Sequence, residues 1–318
     1  MRRIAIVIGA TLLVAPLPAL AQAPDWSPPP EAQRCPSKWG ANDERGSANH
    51  QKAAAVQKAG RLIKTGEVIE LGHVLRGTMP FFGTRRFDVH TKRTFMNAPA
   101  NRRGSNEEIV ITEIGQVGTQ FDAFNHQTIG NDLYNCIKMD EASTRSGFTK
   151  LGVQGVGQIF TRGVMIDVAA FKGVEMLPDD YEITVADLEG ALAKQNLKLE
   201  AGDAVLIHTG WGKLWEKENA RYVKSCPGIG VAAAEWLVKQ DPLLLGADNW
   251  PVEVAPSKTP NASLPVHQIA LTINGVHLLE NLKLDELASK RVHEFAFVMQ
   301  PLKVQGGSGS TVAPTAVR

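Results

Sequence analysis

The chain has 318 residues, 43% hydrophobic and 21% charged, with 34 Lys and Arg against 33 Asp and Glu. That composition is ordinary for a globular protein and excludes a disordered or fibrous one, and a near-neutral balance without a basic stripe argues against nucleic acid as a partner. Beyond the N-terminal segment no apolar run is long enough to cross a bilayer.

Arg2 and Arg3 precede an apolar run from Ile4 to Val14, and Ala19-Leu20-Ala21 follows as a small-residue cleavage site. This is the pattern of a secretory signal peptide. Cleavage after Ala21 predicts a periplasmic or secreted protein, with no membrane association once residues 1–21 are lost. Losing the two arginines moves the formal net charge from +1 to −1. Residues 22–35 read as a proline-rich leader, on the surface or disordered, and residues 36–318 as a single domain.

Glu67 to Leu75 alternates and predicts a strand. Phe81, Phe82, Phe87 and the later Trp250 are candidates to wall a pocket for a flat substrate, although aromatics of this kind more often belong to the core. Glu108 to Ile114 and Thr119 to Phe124 form a second β-rich block, and Gly163 to Asp167 reads as a buried strand. Thr184 and Asp187 predict a capping box opening a helix to about Gln195. Ala204 to Thr209 and Leu243 to Ala247 predict two more buried strands, with helical spacing from Ile229 to Lys239 between them. His267 to Asn274 predicts one or two helical turns stopped by Gly275. A strand from Val276 to Leu279, a helix from Leu284 to Arg291 and a strand from Phe295 to Leu302 follow. Strands in an early block that later alternate with helices predict an α/β fold, a mixed sheet with helices on one or both faces. The run Gly306-Gly-Ser-Gly309 lacks the Lys-Ser/Thr of a phosphate loop and reads as a turn.

The densest chemistry lies in Gln116-Val-Gly-Thr-Gln-Phe-Asp-Ala-Phe-Asn-His126. In an extended segment alternate residues share a face, which would put Gln116, Gln120, Asp122 and His126 on one side. Burying these groups is costly unless a metal ion or a polar substrate satisfies them; a solvent-facing turn is the bland alternative. Glu280 ends an apolar run and also needs a partner. His208 and His277, inside apolar runs, read as core or boundary histidines. Asp248 and Glu253 flank Trp250 with either role open. Of Cys35, Cys136 and Cys226 one pair can form a disulfide, and Cys136 with Cys226 is the pair considered.

Several blocks in order carry a family resemblance. They are Lys38-Trp-Gly-Ala-Asn-Asp-Glu44 with Gly46 and Asn49, Thr161 to Asp167, Gly202 to Trp211, Gly246 to Glu253, Pro265-Val-His-Gln268 and Leu279 to Leu282. Together they resemble the cyclase, or bacterial kynurenine formamidase, family of metal-dependent hydrolases, which includes the isatin hydrolases. The resemblance implies a swivelling β/β/α-type fold, a homodimer, and an H-x-x-x-H-x-D metal motif with a catalytic histidine four residues on. By position Asp122 is then a metal carboxylate, His126 the general acid/base, and His267 and Glu280 further metal-facing residues. Gln116 and Gln120 stand where the two motif histidines would be. Carboxamide oxygens are harder ligands than imidazole, so a set of Asp122, Gln120, Gln116, His267 and Glu280 favours manganese slightly over zinc for a single divalent ion.

The implied activity is hydrolysis of a C–N bond other than a peptide bond, arylformamidase-like, or of an imide or lactone, in a small cyclic or aromatic molecule. Phe82 and Trp250 are the candidate substrate contacts. An exported binding protein of the same fold without catalysis is the alternative, motivated by the two glutamines. A cyclisation or dehydration is a third reading.

Overall fold

Four apolar runs of the sequence become the middle of one large sheet. The computed structural model describes residues 26–94, 101 and 103–318; the segment expected to be a signal peptide and the first residues of the expected leader lie outside the described residues. The sheet's strands are β1 (Val68–Glu70), β2 (Gln120–Asp122), β3 (Ile159–Asp167), β4 (Ala204–His208), β5 (Leu244–Ala247), β6 (His277–Glu280), β7 (Glu294–Met299), β8 (Gly309–Thr311) and β9 (Thr315–Val317). Their spatial order is β1-β9-β7-β3-β4-β5-β6-β2-β8.

The inner strands β3, β4, β5 and β6 run parallel. A parallel sheet must be covered on both faces, and the side chains divide accordingly. Val205, Ile207, Leu245 and Leu278 pack into one apolar layer, while Leu206, Leu244 and Leu279 enter another. The first layer holds the helices α2 (Val185–Gln195) and α3 (Val231–Val238). Helix α1 (Ala53–Gly60) packs over β3. Antiparallel strands finish both flanks: β7, β9 and β1 on one side, β2 and β8 on the other. This is the α/β mixed sheet expected from the alternation.

Local signals resolve as predicted where the chemistry is local. The Thr184 hydroxyl accepts from the Asp187 backbone N–H at 3.2 Å, and the Asp187 carboxylate accepts from the Thr184 N–H at 3.0 Å. The helix they open ends at Gln195, before Asn196 in the left-handed region at φ 53°. The segment at His267 is a short helix, Pro265–His267, that widens into a π-helical turn over Gln268–Ile273. Gly275 stops it at φ 59°, where a Cβ would lie 2.4 Å from the Tyr134 ring.

The leader is tied to the body. Trp26 packs against the first apolar layer, Glu31–Arg34 is a helical turn, and buried Arg34 pairs with Asp132 at 2.8 Å. The cysteine pairing differs from the one considered: Cys35 bonds Cys136, with Cα atoms 6.0 Å apart, and Cys226 is free and buried. The Arg34–Asp132 pair brings Cys35 beside Cys136, whereas Cys226 sits in an apolar cluster with Trp211, Tyr222 and Ala255. Spacing along the chain carries no information about that proximity.

Candidate active site

Strand β2 is three residues long and wholly buried. Phe121 points into the second apolar layer, so the pleat turns Gln120 and Asp122 to the opposite face. The register pairs Gln120 with Glu280 at the end of β6, which brings two strand ends carrying polar groups together. On the other side Asp122 pairs with Gly309. A Cβ at Gly309 would come within 2.7 Å of the Gly115 carbonyl, 2.8 Å of the Phe121 carbonyl and 3.1 Å of the Gln116 amide. The glycine-rich run is therefore a turn, as read from sequence, that leads into a strand seated against the site.

Asp122 is fully buried. Its Oδ1 accepts from Gln116 Nε2 at 3.2 Å, while Oδ2 is buried with no hydrogen-bond partner among the described residues. That oxygen lies 3.8 Å from His267 Nε2. Ligand atoms of Asp122, His126 and His267 all fall within 4.8 Å of one another. An orphaned buried carboxylate oxygen costs free energy that a cation would recover. One carboxylate and two imidazoles suit a divalent ion such as zinc or manganese. The residues present therefore fit a metal.

His267 is aimed by Glu253. The Glu253 Oε1 atom lies 2.6 Å from His267 Nδ1 and also accepts from the His267 backbone N–H, while Oε2 accepts from the Val266 N–H, both at 3.1 Å. With Nδ1 engaged, Nε2 faces Glu280 Oε1 at 3.1 Å. Burial opposes a charge on His267, but hydrogen bonds to Glu253 and Glu280 outweigh it and hold its pKa well above the usual imidazole range. Glu280 is pushed up to about 7, by burial first and then by the charge of Asp122. His126, on the turn after β2, is held below its ordinary value mainly by burial, against the pull of Asp122.

The two glutamines do not stand in that ligand group as their amides are oriented. Gln120 Nε2 donates to Glu280 Oε2 at 2.6 Å, and Gln116 Nε2 donates to Asp122. Each amide holds a carboxylate. His277 is buried under the site, stacked on Phe124 with centroids 4.0 Å apart, and its Nδ1 donates to the Asp122 carbonyl at 2.9 Å. His208 pairs instead with Asp167 at 2.8 Å. Asp248 accepts from the Thr209 hydroxyl and from the Thr209 and Gly210 N–H groups, closing the turn after β4.

A small cavity adjoins Gln116, Gln120 and Glu280. Phe82, Arg85, Gln116, Gln120, Trp250 and Glu280 line it. Phe82 and Trp250 stack with centroids 4.6 Å apart and planes 18° from parallel. The structure thus brings Gln116, Gln120, Asp122, His126, His267 and Glu280 together, with Phe82 and Trp250 at the approach. Sequence reasoning left Glu253 open and missed Arg85. A carboxylate between Val252 and Val254 in an apolar stretch was the available signal for Glu253; Arg85, in a run of basic and polar residues, offered none.

Residues 69–254 match the model of a family described as "Putative cyclase". A crystal structure of a novel cyclase is 33% identical, covers 89% of this chain and 98% of its own, and superposes with a TM-score of 0.80. Isatin hydrolase A from Labrenzia aggregata, bound to benzyl benzoate, is 20% identical over 79% of this chain and 93% of its own, with a TM-score of 0.58. An isatin hydrolase bound to the product analogue thioisatinate is 21% identical over 84% of this chain and 98% of its own, with a TM-score of 0.57. For both isatin hydrolases the likeness is one of fold. No curated protein matches this chain in sequence.

Proposed function

Because the chain belongs to the cyclase family, we propose that it is an exported metal-dependent hydrolase of a small cyclic or aromatic amide, imide or lactone. The observation that carries this reading is the convergence of Asp122, His126 and His267 within 4.8 Å around an unpartnered buried carboxylate oxygen. These three would hold one divalent ion with Glu280 beside them, and two imidazoles raise the case for zinc relative to a set of amides. The bound ion would supply a Lewis acid that polarises the scissile carbonyl and lowers the pKa of water.

The chain's own residues do the rest. Glu253 fixes the ring of His267 and its tautomer. Gln116 and Gln120 orient the carboxylates of Asp122 and Glu280 by donating to them. His126 has two candidate roles: a general acid/base that accepts a proton at a ring nitrogen free of the ion, or a third ligand, since one of its ring nitrogens lies within 4.8 Å of the ligand atoms of Asp122 and His267. Phe82 and Trp250 offer a flat apolar wall to a ring. The Cys35–Cys136 disulfide supports export, since such bonds persist in oxidising compartments. A homodimer belongs to the same proposal. The hairpin of Phe87–Thr94 and Ser105–Thr112, with Val89, Ile109, Val110 and Ile111 exposed, is apolar surface that a second subunit would cover.

Metal content by mass spectrometry on mature protein purified without chelator tests the reading. One zinc or manganese per chain is expected, lost in Asp122→Ala. His126→Ala separates the two roles of that histidine: metal retained with turnover down about 100-fold or more marks an acid/base, and metal lost marks a ligand. No metal in the parent protein, even after supplementation, would sink the hydrolase reading and leave a binding protein of the same fold.

A further inference from the structure

Strands β3 and β4 end side by side, with Asp167 in register with His208. The carboxyl ends of parallel strands are where open α/β sheets place ligands. A cavity of about 440 Å³ lies there, and none of Asp122, His126 and His267 lines it. That volume is in the range of small-molecule sites, about 300–1,000 Å³. Asp167, Ala170, Phe171, Lys194, Arg291 and His293 are among its walls. Asp167 is buried. Its Oδ1 accepts from the Ala170 N–H at 3.0 Å and from His208 Nδ1 at 2.8 Å, while Oδ2 takes no hydrogen bond from any described residue. Burial opposes a charge on Asp167, but the bond from His208 outweighs it and holds the pKa below the ordinary carboxylate value.

Lys194 and Arg291 are exposed at the rim. Lys194 Nζ donates to the Ala170 carbonyl at 3.0 Å, and among the described residues neither cation is paired with a carboxylate. His293 is half-buried between charges of both signs: burial lowers its pKa, Asp167 pulls it up and Arg291 pushes it down. Phe171 is seated against α2, where a Cβ at Gly190 would come 2.3 Å from its ring. A buried carboxylate with an open oxygen, two unpaired cations and an aromatic wall have a defined complement. We infer that this cavity is a second ligand site, for a free α-amino acid with an apolar side chain: the ammonium donates to Asp167 Oδ2, Arg291 and Lys194 hold the carboxylate, and the side chain lies against Phe171. A plain acid would meet the charge of Asp167, and a plain amine the charges of Lys194 and Arg291. The inference does not depend on the hydrolase reading, because no residue proposed to hold the ion lines the cavity.

Isothermal titration calorimetry on the full mature protein, with and without chelator, tests it. The probes are L-phenylalanine, 3-phenylpropionate, which lacks the ammonium, and phenethylamine, which lacks the carboxylate. The parent should bind one L-phenylalanine per chain, about tenfold or more tightly than either analogue and equally in chelator. Arg291→Gln, at an exposed residue, should weaken L-phenylalanine about tenfold and leave phenethylamine no weaker. Ala170→Phe, also at an exposed residue, fills the cavity and should abolish binding. Trp250→Ala, in the aromatic pair beside the other cavity, should leave the affinity within about twofold. No binding of L-phenylalanine, an analogue that binds as tightly, or affinity that survives Arg291→Gln or Ala170→Phe overturns the inference. So does binding lost in Trp250→Ala or in chelator, because the ligand would then sit beside the Asp122 group.

Discussion

Replacing Glu253 by glutamine changes one atom and removes one charge, at a residue 1% exposed. The carboxylate accepts three hydrogen bonds, from Val266 N, His267 N and His267 Nδ1. Glutamine offers one oxygen. Pointed at His267 it keeps that pair of bonds but sets an NH2 against the Val266 N–H; flipped, it sets the NH2 against His267. Either way at least one bond to a charged group is lost, worth roughly 1.5–3 kcal/mol, and the imidazole loses the anion that raises its basicity. Loss of such an outer partner weakens metal binding by about 10–100-fold, which is about 1.4–2.8 kcal/mol in affinity. Chelator competition on Glu253→Gln, with circular dichroism as a control for folding, reads this directly. A folded variant whose zinc or manganese affinity stays within about twofold of the parent would refute the assignment of Glu253 as the group that positions His267.

Two further outcomes follow from features away from the site. The Cys35–Cys136 bond closes a loop with a sequence separation of 101, so Cys35→Ser with Cys136→Ser should cost about 4–5 kcal/mol by the chain-entropy estimate. Urea unfolding measures that loss, and peptide mapping of the denatured, unreduced parent after thiol alkylation should find the label on Cys226 and not on Cys35 or Cys136. His73, stacked on Trp215 at 4.2 Å, is held down to about 4, by burial first and by Lys283 second. Its folded pKa lies below the ordinary imidazole value of 6.5. The stability it contributes is therefore complete above that value and is lost as the pH falls toward about 4, on the order of 2–3 kcal/mol. His73→Phe should flatten that part of the curve; identical acid sensitivity in the variant and the parent would show that His73 carries none of it.

The sequence by itself determined the parts that depend on neighbours along the chain. Apolar runs four to six residues long in the sequence lie in β3 to β6, because a strand covered on both faces needs no polar alternation. Thr184 and Asp187 announced their helix, since a capping box is complete within four residues. Asp122 and His126 stood out as polar groups set among Phe121, Ala123 and Phe124, and the structure buries Asp122 fully. What only the tertiary structure decided depends on register and approach between distant segments. The β2–β6 pairing placed Gln120 opposite Glu280, 160 residues away, where its amide donates to that carboxylate. Glu253 acquired its role from a short helix that begins twelve residues later, and Cys35 found Cys136 through a buried ion pair. An imidazole, an amide or a carboxylate carries the same letter whether it ligates, orients or caps; which of these it does is set by the one neighbour within hydrogen-bond reach, and the fold supplies that neighbour.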